Sequence, residues 1–173
     1  ISPNGEHLTI RVSREWTQNE IYIYNTIKKK SSPLVEGIAA KFYIYFSERK
    51  TFLLTNYKAD RYRVLSAPIE IWVDTPIDGW TESVPEGKYT LDSIAVSKSK
   101  LLAHYLVNAC SEVHVYNNEG EMGKPLPLPA FSAIHSIQAR YYDEEFFYGI
   151  KSFTSPFAVY RHNADTKNYE EYR

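Results

Sequence analysis

Five histidines, His7, His104, His114, His135 and His162, are the first candidates for chemistry, because an imidazole can ligate a metal or relay a proton. Their spacing supports neither role. No two stand in an HExxH or comparable arrangement, so no metal centre and no cofactor are expected. Paired carboxylates occur at Glu144-Glu145 and Glu170-Glu171. Neighbours along a β-strand point to opposite faces, which is wrong for a shared acid–base site, so these pairs read as surface charge. A hydrolytic serine would sit in a Gly-x-Ser-x-Gly elbow, and the chain has none. The stretch Gly149-Ile150-Lys151-Ser152 has the wrong spacing and no following glycine. Cys110 is the single cysteine. It excludes an intramolecular disulfide framework, fits a reducing compartment, and has no activating neighbour, so it reads as an inert thiol. Lys28-Lys29-Lys30 has the composition of an anion patch, but three lysines in a turn are expected to be solvated.

The bulk properties narrow the classes further. With 173 residues the chain is long enough for one domain with a real core. The formal net charge is −1, which leaves no electrostatic footprint for nucleic acid or an anionic membrane. The mixture of aromatic and basic residues, including Tyr57-Lys58 and Tyr141-Tyr142, resembles a base-stacking surface, but without positive charge no nucleic acid is expected. No apolar run approaches the roughly 20 residues of a membrane helix. The start, Ile-Ser-Pro-Asn-Gly, is neither a signal peptide nor an initiator methionine, so the chain is expected to begin inside a longer one.

The elements that must position any site are β-strands. Fifteen tyrosines, eight phenylalanines and three tryptophans suit the half-buried faces of sheets. No window sustains a 3.6-residue period over three turns, so helices are nearly absent. Leu8, Ile10 and Val12 alternate with polar residues, and Ile21 to Tyr24 follows after a polar loop holding Trp16. Lys28 to Pro33 reads as a charged turn, with Leu34-Val35 as a short outer strand. Ala40 to Phe46, Thr51 to Thr55 and Tyr62 to Leu65 form a second unit. An irregular connector, Pro68 to Gly79, leads to an outer strand at Trp80 to Val84. Leu91 to Val96, Leu101 to Val107 and Glu112 to Tyr116 form a third. There Asn108 to Ser111 reads as a loop, and the proline-rich Glu121 to Leu128 as an edge strand or extended connector. Ser132 to Arg140, Phe146 to Ile150, Ala158 to Tyr160 and Asn168 to Arg173 form a fourth, with His162 to Thr166 as a turn. The second strands start near 7, 51, 101 and 145, a spacing of roughly 44 to 50 residues. A propeller repeats at this period, whereas a sandwich has no reason to. The expected fold is therefore all-β, a partial β-propeller of about three and a half four-stranded antiparallel blades. The whole chain, 1–173, is one partial propeller, with approximate blades at 1–36, 37–86, 87–129 and 130–173.

Several stretches carry a resemblance in their order and spacing. These are Ser2-Pro3-Asn4-Gly5, Gln18-Asn19-Glu20-Ile21-Tyr22-Ile23, Val84-Pro85-Glu86-Gly87 and Leu102-Ala103-His104-Tyr105-Leu106-Val107-Asn108-Ala109. The most specific is Ser152-Phe153-Thr154-Ser155-Pro156, followed by Tyr160. Over essentially its whole length the chain resembles the second half of the β-propeller of the prolyl oligopeptidase family, most closely its archaeal members. The resemblance implies a seven-bladed propeller acting as a lid over an α/β-hydrolase domain of the same polypeptide. That cytoplasmic serine peptidase cleaves short peptides after proline with a Ser–Asp–His triad. None of that machinery lies in this chain: the hydrolase domain would follow Arg173, and half the propeller would precede Ile1. The chain alone is then noncatalytic, and its partners are the hydrolase domain and short proline-containing peptides.

In that family the loops between second and third strands face the hydrolase, and one contributes an arginine near the substrate. Here the corresponding loop carries Asn56, Tyr57, Lys58 and Arg61, with Tyr57 at the arginine's place; Lys58 or Arg61 would be the substitute. Trp16, Asn56, Tyr57, Lys58, Arg61, Ser152 and Phe153 are thus the candidates for lining the inter-domain cavity. The plainer alternative makes the loop residues ordinary surface and Phe153 a buried plug between loop and blade. A second function class also fits. A freestanding propeller-like module would leave blade edges unpaired and would bind proteins, or itself, through them.

Overall fold

Strand alternation is visible directly in the burial of the second strand. A computed structural model describes residues 1–153, 156–163 and 169–172, with the backbone alone at Tyr169. In Asn19–Asn25, Asn19, Ile21 and Ile23 point inward while Glu20, Tyr22 and Tyr24 stay partly exposed. Fourteen strands are found among the described residues, and no helix beyond a short 3₁₀ turn at Ile77–Gly79. They form four antiparallel sheets of consecutive strands, divided between two compact units, Ile1–Gly87 and Lys88–Arg173.

The first unit holds two sheets. One comprises β1 (His7–Ser13), β2 (Asn19–Asn25) and β3 (Lys30–Val35); the other β4 (Phe42–Phe46), β5 (Lys50–Thr55), β6 (Arg63–Pro68) and β7 (Thr81–Val84). The lysine run divides where it was expected to stay a turn. Lys28 and Lys29 turn the chain, and Lys30 already opens β3, where Pro33 is tolerated because the strand is an edge. The core joins Ile21, Ile23 and Val35 to Phe42, Leu53 and Leu65, and the connector from Pro68 to Gly79 supplies its largest member. Trp72 is 1% exposed, with its ring edge-on to Phe46 at 5.4 Å and to His7 at 5.8 Å. The connector is irregular in backbone but forms part of the core. Trp80 Nε1 donates to the Thr75 carbonyl at 2.9 Å and closes it.

The second unit likewise holds two sheets. One comprises β8 (Thr90–Val96), β9 (Lys100–Val107) and β10 (Cys110–Asn117); the other β11 (Ala133–Ala139), β12 (Glu145–Lys151), β13 (Ala158–Asn163) and β14 (Tyr169–Tyr172). Asn108 and Ala109, both at positive φ, make a two-residue turn between β9 and β10, tighter than the expected loop. The proline-rich segment after β10 makes one bridge, Met122 to Tyr116, and Leu126 N donates to the Val113 carbonyl at 2.9 Å. It is a connector and not a fourth strand, because alternate prolines remove the donors of a ladder. Thr154-Ser155 of the Ser-Phe-Thr-Ser-Pro stretch and Ala164-Asp165-Thr166 of the expected turn lie outside the described residues, as do Asn168 and Arg173 of the last expected strand.

One corner recurs. Ser47 N donates to the Lys50 carbonyl at 2.8 Å, and Lys50 N returns a bond to Ser47 Oγ at 3.0 Å. Ser97 and Lys100 repeat this at 2.8 and 3.1 Å, and Ser2 and His7 at 2.8 and 2.9 Å. The corner precedes the second strand in the sheets of β5 and β9. By the same geometry β1 holds the second-strand position of its own sheet, where among the described residues it pairs with β2.

Candidate functional site

The loops between second and third strands begin where β1, β5, β9 and β12 end. In the first unit two asparagines fix their base. Asn19, buried at the start of β2, mimics a strand partner: its Nδ2 donates to the Phe42 carbonyl at 2.9 Å and its Oδ1 accepts Phe42 N at 2.7 Å. Asn56 Oδ1 accepts Lys41 N at 2.6 Å. Asn56 therefore serves as a backbone staple, and its side chain is spent on β4.

Tyr57 and Lys58 lie together. Tyr57 packs its ring on Phe42 at 6.3 Å, Lys58 Nζ stands 4.7 Å above the Tyr57 ring, and the same Nζ meets Asp78 Oδ1 at 3.0 Å. Lys58 takes a positive φ, which turns its side chain back over the loop. The contacts with Tyr57 and Asp78 hold the Lys58 ammonium above its ordinary pKa, and Lys58 holds the Asp78 carboxyl below its own. Arg61 anchors its backbone N to Glu86 Oε1 at 2.7 Å, and its residue is exposed. Arg61 is thus a cation displayed to solvent, whereas Lys58 is already paired.

Trp16 stands 93% exposed on the β1–β2 loop. That loop walls an open cleft of about 900 Å³ whose other sides are Arg11, Lys41 and Tyr43. The Asn56 bond to Lys41 joins this cleft to the Tyr57–Lys58 loop, so five of the seven predicted residues share one region of the first unit. Ser152 and Phe153 belong to the second unit. Phe153 is fully exposed, so it is no plug; the loop is held instead by Phe157, whose ring lies over Gly149 and edge-on to His135 at 5.9 Å.

A constellation that no motif announces lies in the second unit. His104 Nε2 meets Ser111 Oγ at 2.7 Å, and His104 Nδ1 meets Ser93 Oγ at 3.2 Å and Asp92 Oδ2 at 3.4 Å. These are the residue types of acyl transfer, but Ser111 Oγ also accepts Ile134 N at 2.8 Å, and both Ser111 and His104 are buried. A covered hydroxyl that already accepts a backbone N–H has no access to substrate. The group ties β8, β9, β10 and β11 together as a crosslink. Burial lowers the His104 pKa, and the nearby Asp92 opposes that shift. Among the described residues no cluster of three metal-ligating side chains occurs.

The family model for the prolyl oligopeptidase N-terminal β-propeller domain matches residues 1–173. The chain belongs to this family. It is 19% identical over 176 residues to a prolyl endopeptidase of Elizabethkingia meningoseptica, covering 100% of this chain and 24% of the relative. It is 26% identical to the prolyl oligopeptidase ophP of Omphalotus olearius, covering 94% and 23%. A structure from a study of two prolyl endopeptidases superimposes with a TM-score of 0.89 at 27% identity, over 99% of this chain and 25% of that one. Prolyl oligopeptidase B from Galerina marginata gives 0.85 at 20% identity over the same shares, a likeness of fold. The chain thus spans about a quarter of the length of these relatives. They are bacterial and fungal, so the expected closeness to archaeal members finds no support. The matched domain is the N-terminal propeller as a whole, which assigns the chain to neither half of it.

Proposed function

We propose that this chain is a noncatalytic portion of the propeller of a longer serine peptidase that cleaves short peptides after proline. In this reading it forms the second half of the propeller, and the α/β-hydrolase domain lies elsewhere in the same polypeptide. The propeller admits short proline-containing peptides and keeps folded proteins out, and the protein works in the cytoplasm. The observation that carries the reading is the match of the entire chain to the propeller domain of a family whose relatives, named a prolyl endopeptidase and a prolyl oligopeptidase, are about four times as long. Trp16, Tyr57, Lys58 and Arg61 on one loop region, with Ser152 and Phe153 on the equivalent loop of the second unit, would face the hydrolase.

A second reading is a freestanding module that binds proteins, or a second copy of itself, through its edges. Among the described residues β1 is an edge strand, and Leu8 and Ile10 on it are exposed, which favours this one. One experiment separates the two. The intact gene product is detected with an antibody to this chain and assayed on a Gly-Pro reporter peptide. A product of roughly 60–80 kDa that cleaves the reporter, while this chain alone does not, supports the peptidase. A product near the 20.1 kDa of this chain, without cleavage, overturns it in favour of the edge-binding module.

A further inference from the structure

We propose that the cleft between the β1–β2 loop and the start of β4 binds a carboxylate carried by a peptide. Three cations line it: Arg11, Arg14 and Lys41. Arg14 is spent, since its Nη2 meets Glu20 Oε2 at 2.8 Å. Arg11 and Lys41 have no carboxylate within ion-pair distance among the described residues, and the cleft sets only Glu15 against them. Arg11 is held with its guanidinium carbon 5.0 Å from the centre of the Tyr43 ring. Stacking on a ring face orients a guanidinium while leaving its N–H fork free, the geometry that takes a carboxylate through two parallel hydrogen bonds. Lys41 is half-buried, and its backbone is pinned by Asn56, so its ammonium is carried on a fixed base.

The remaining wall decides what the carboxylate is attached to. Trp16 offers a nearly free indole face, and Tyr43, which carries the Arg11 guanidinium, is a second aromatic side chain of the same cleft. A flat or pyrrolidine-bearing peptide unit stacks well on such faces. A volume of about 900 Å³ accommodates several residues and far exceeds a lone anion. That the cleft takes an anion rests on its two unpaired cations; that the anion is a carboxylate carried by a peptide rests on the proposed peptidase reading.

The test is binding to this chain without any cleavage. Acetyl-Ala-Pro-Ala-Ala is titrated at low salt as the free acid, as the C-terminal amide, and as an amide with Glu in the last place. Calorimetry gives the affinity, and tryptophan emission reports contact, because Trp72 and Trp80 are buried and Trp16 is not. The free acid should bind about tenfold tighter than the plain amide, and Arg11→Gln or Lys41→Gln should remove most of that advantage. Lys28→Gln, on an exposed turn, should leave it unchanged. If the Glu amide matches the acid, side-chain carboxylates are ligands too; if it matches the plain amide, only the chain terminus is read. Equal binding of all three peptides, no binding up to about 10 mM, or equal damage from Lys28→Gln overturns the proposal. A null result beside an active full-length peptidase would leave the peptidase reading standing. Binding without any cleavage by the full-length product would leave the cleft standing.

Discussion

Ser111 shows how much a single side chain can hold in a small sheet protein. Its hydroxyl accepts Ile134 N at 2.8 Å and engages His104 Nε2 at 2.7 Å, both inside the second unit. Removing it leaves a half-buried backbone donor and a buried imidazole nitrogen without partners, which costs more than the hydrogen bonds themselves contribute. Ser111→Ala should therefore lower unfolding stability by about 1–3 kcal/mol, read as a shift of the urea midpoint. A shift within experimental error would mean that the crosslink is not formed in solution. None of this group was read in advance, because the sequence placed Ser111 in a loop whereas β10 already starts at Cys110. A two-residue turn at Asn108-Ala109 sets Val113 opposite His104 and so brings Ser111 diagonally near it. Asp92 was hidden as well, because it reaches His104 only through a bulge between Leu91 and Ser93. The cleft was equally hidden, since Arg11 and Tyr43 stand on different sheets and no local pattern links them.

At the scale of elements, the strands were legible because their signals are local: alternation, aromatic and β-branched runs, and polar turns of two to four residues. The contribution of the connectors was not. Trp72 lies in a segment with no periodicity, and its burial follows from the groove that two sheets leave between them, which is a tertiary property. The plug alternative for Phe153 fails for a related reason. An aromatic residue in a loop suggests a plug, yet Phe157 four positions on fills that role by lying over Gly149. A Cβ at Gly149 would come within 2.6 Å of the Phe157 ring. Phe157 is half-exposed and can swing outward, so Gly149→Ala should cost less than about 1 kcal/mol in global stability. Its effect should appear in the loop: chymotrypsin cleavage after Phe153 accelerates while the urea midpoint hardly moves. If stability instead falls by more than about 2 kcal/mol, the β12 strand itself has been displaced.

On the scale of the whole molecule the two units differ in how they meet acid. The second unit contains His104 and His162, and burial lowers the pKa of each below its ordinary value. His162 lies stacked on Phe146 at 4.6 Å, with its Nδ1 buried and unpartnered among the described residues. When the folded-state pKa is depressed, the unfolded chain takes up protons that the folded one refuses. Stability is then complete above the unfolded pKa of about 6.5 and is lost as pH falls toward the folded values. In the first unit the lowered groups are Glu20 and Asp78, held down by Arg14 and Lys58 respectively. Their contribution is present above the ordinary carboxylate range near 4 and is lost only below it, and Asp78 is exposed enough for solvent to weaken its share. The two windows do not overlap. All three tryptophans lie in the first unit, so tryptophan emission follows that unit while far-ultraviolet circular dichroism follows both. Urea unfolding at pH 7.5 should give coincident transitions by the two probes. At pH 5.5 the circular dichroism transition should move to lower urea while the tryptophan transition stays in place. His104→Gln, neutral at every pH, should reduce the separation by removing one of the two acid-sensitive groups. Probes that remain coincident at pH 5.5 would show either that the histidines are not shielded or that the two units unfold as one. The His104→Gln variant decides between these, because its pH dependence differs from that of the parent chain only if His104 is shielded.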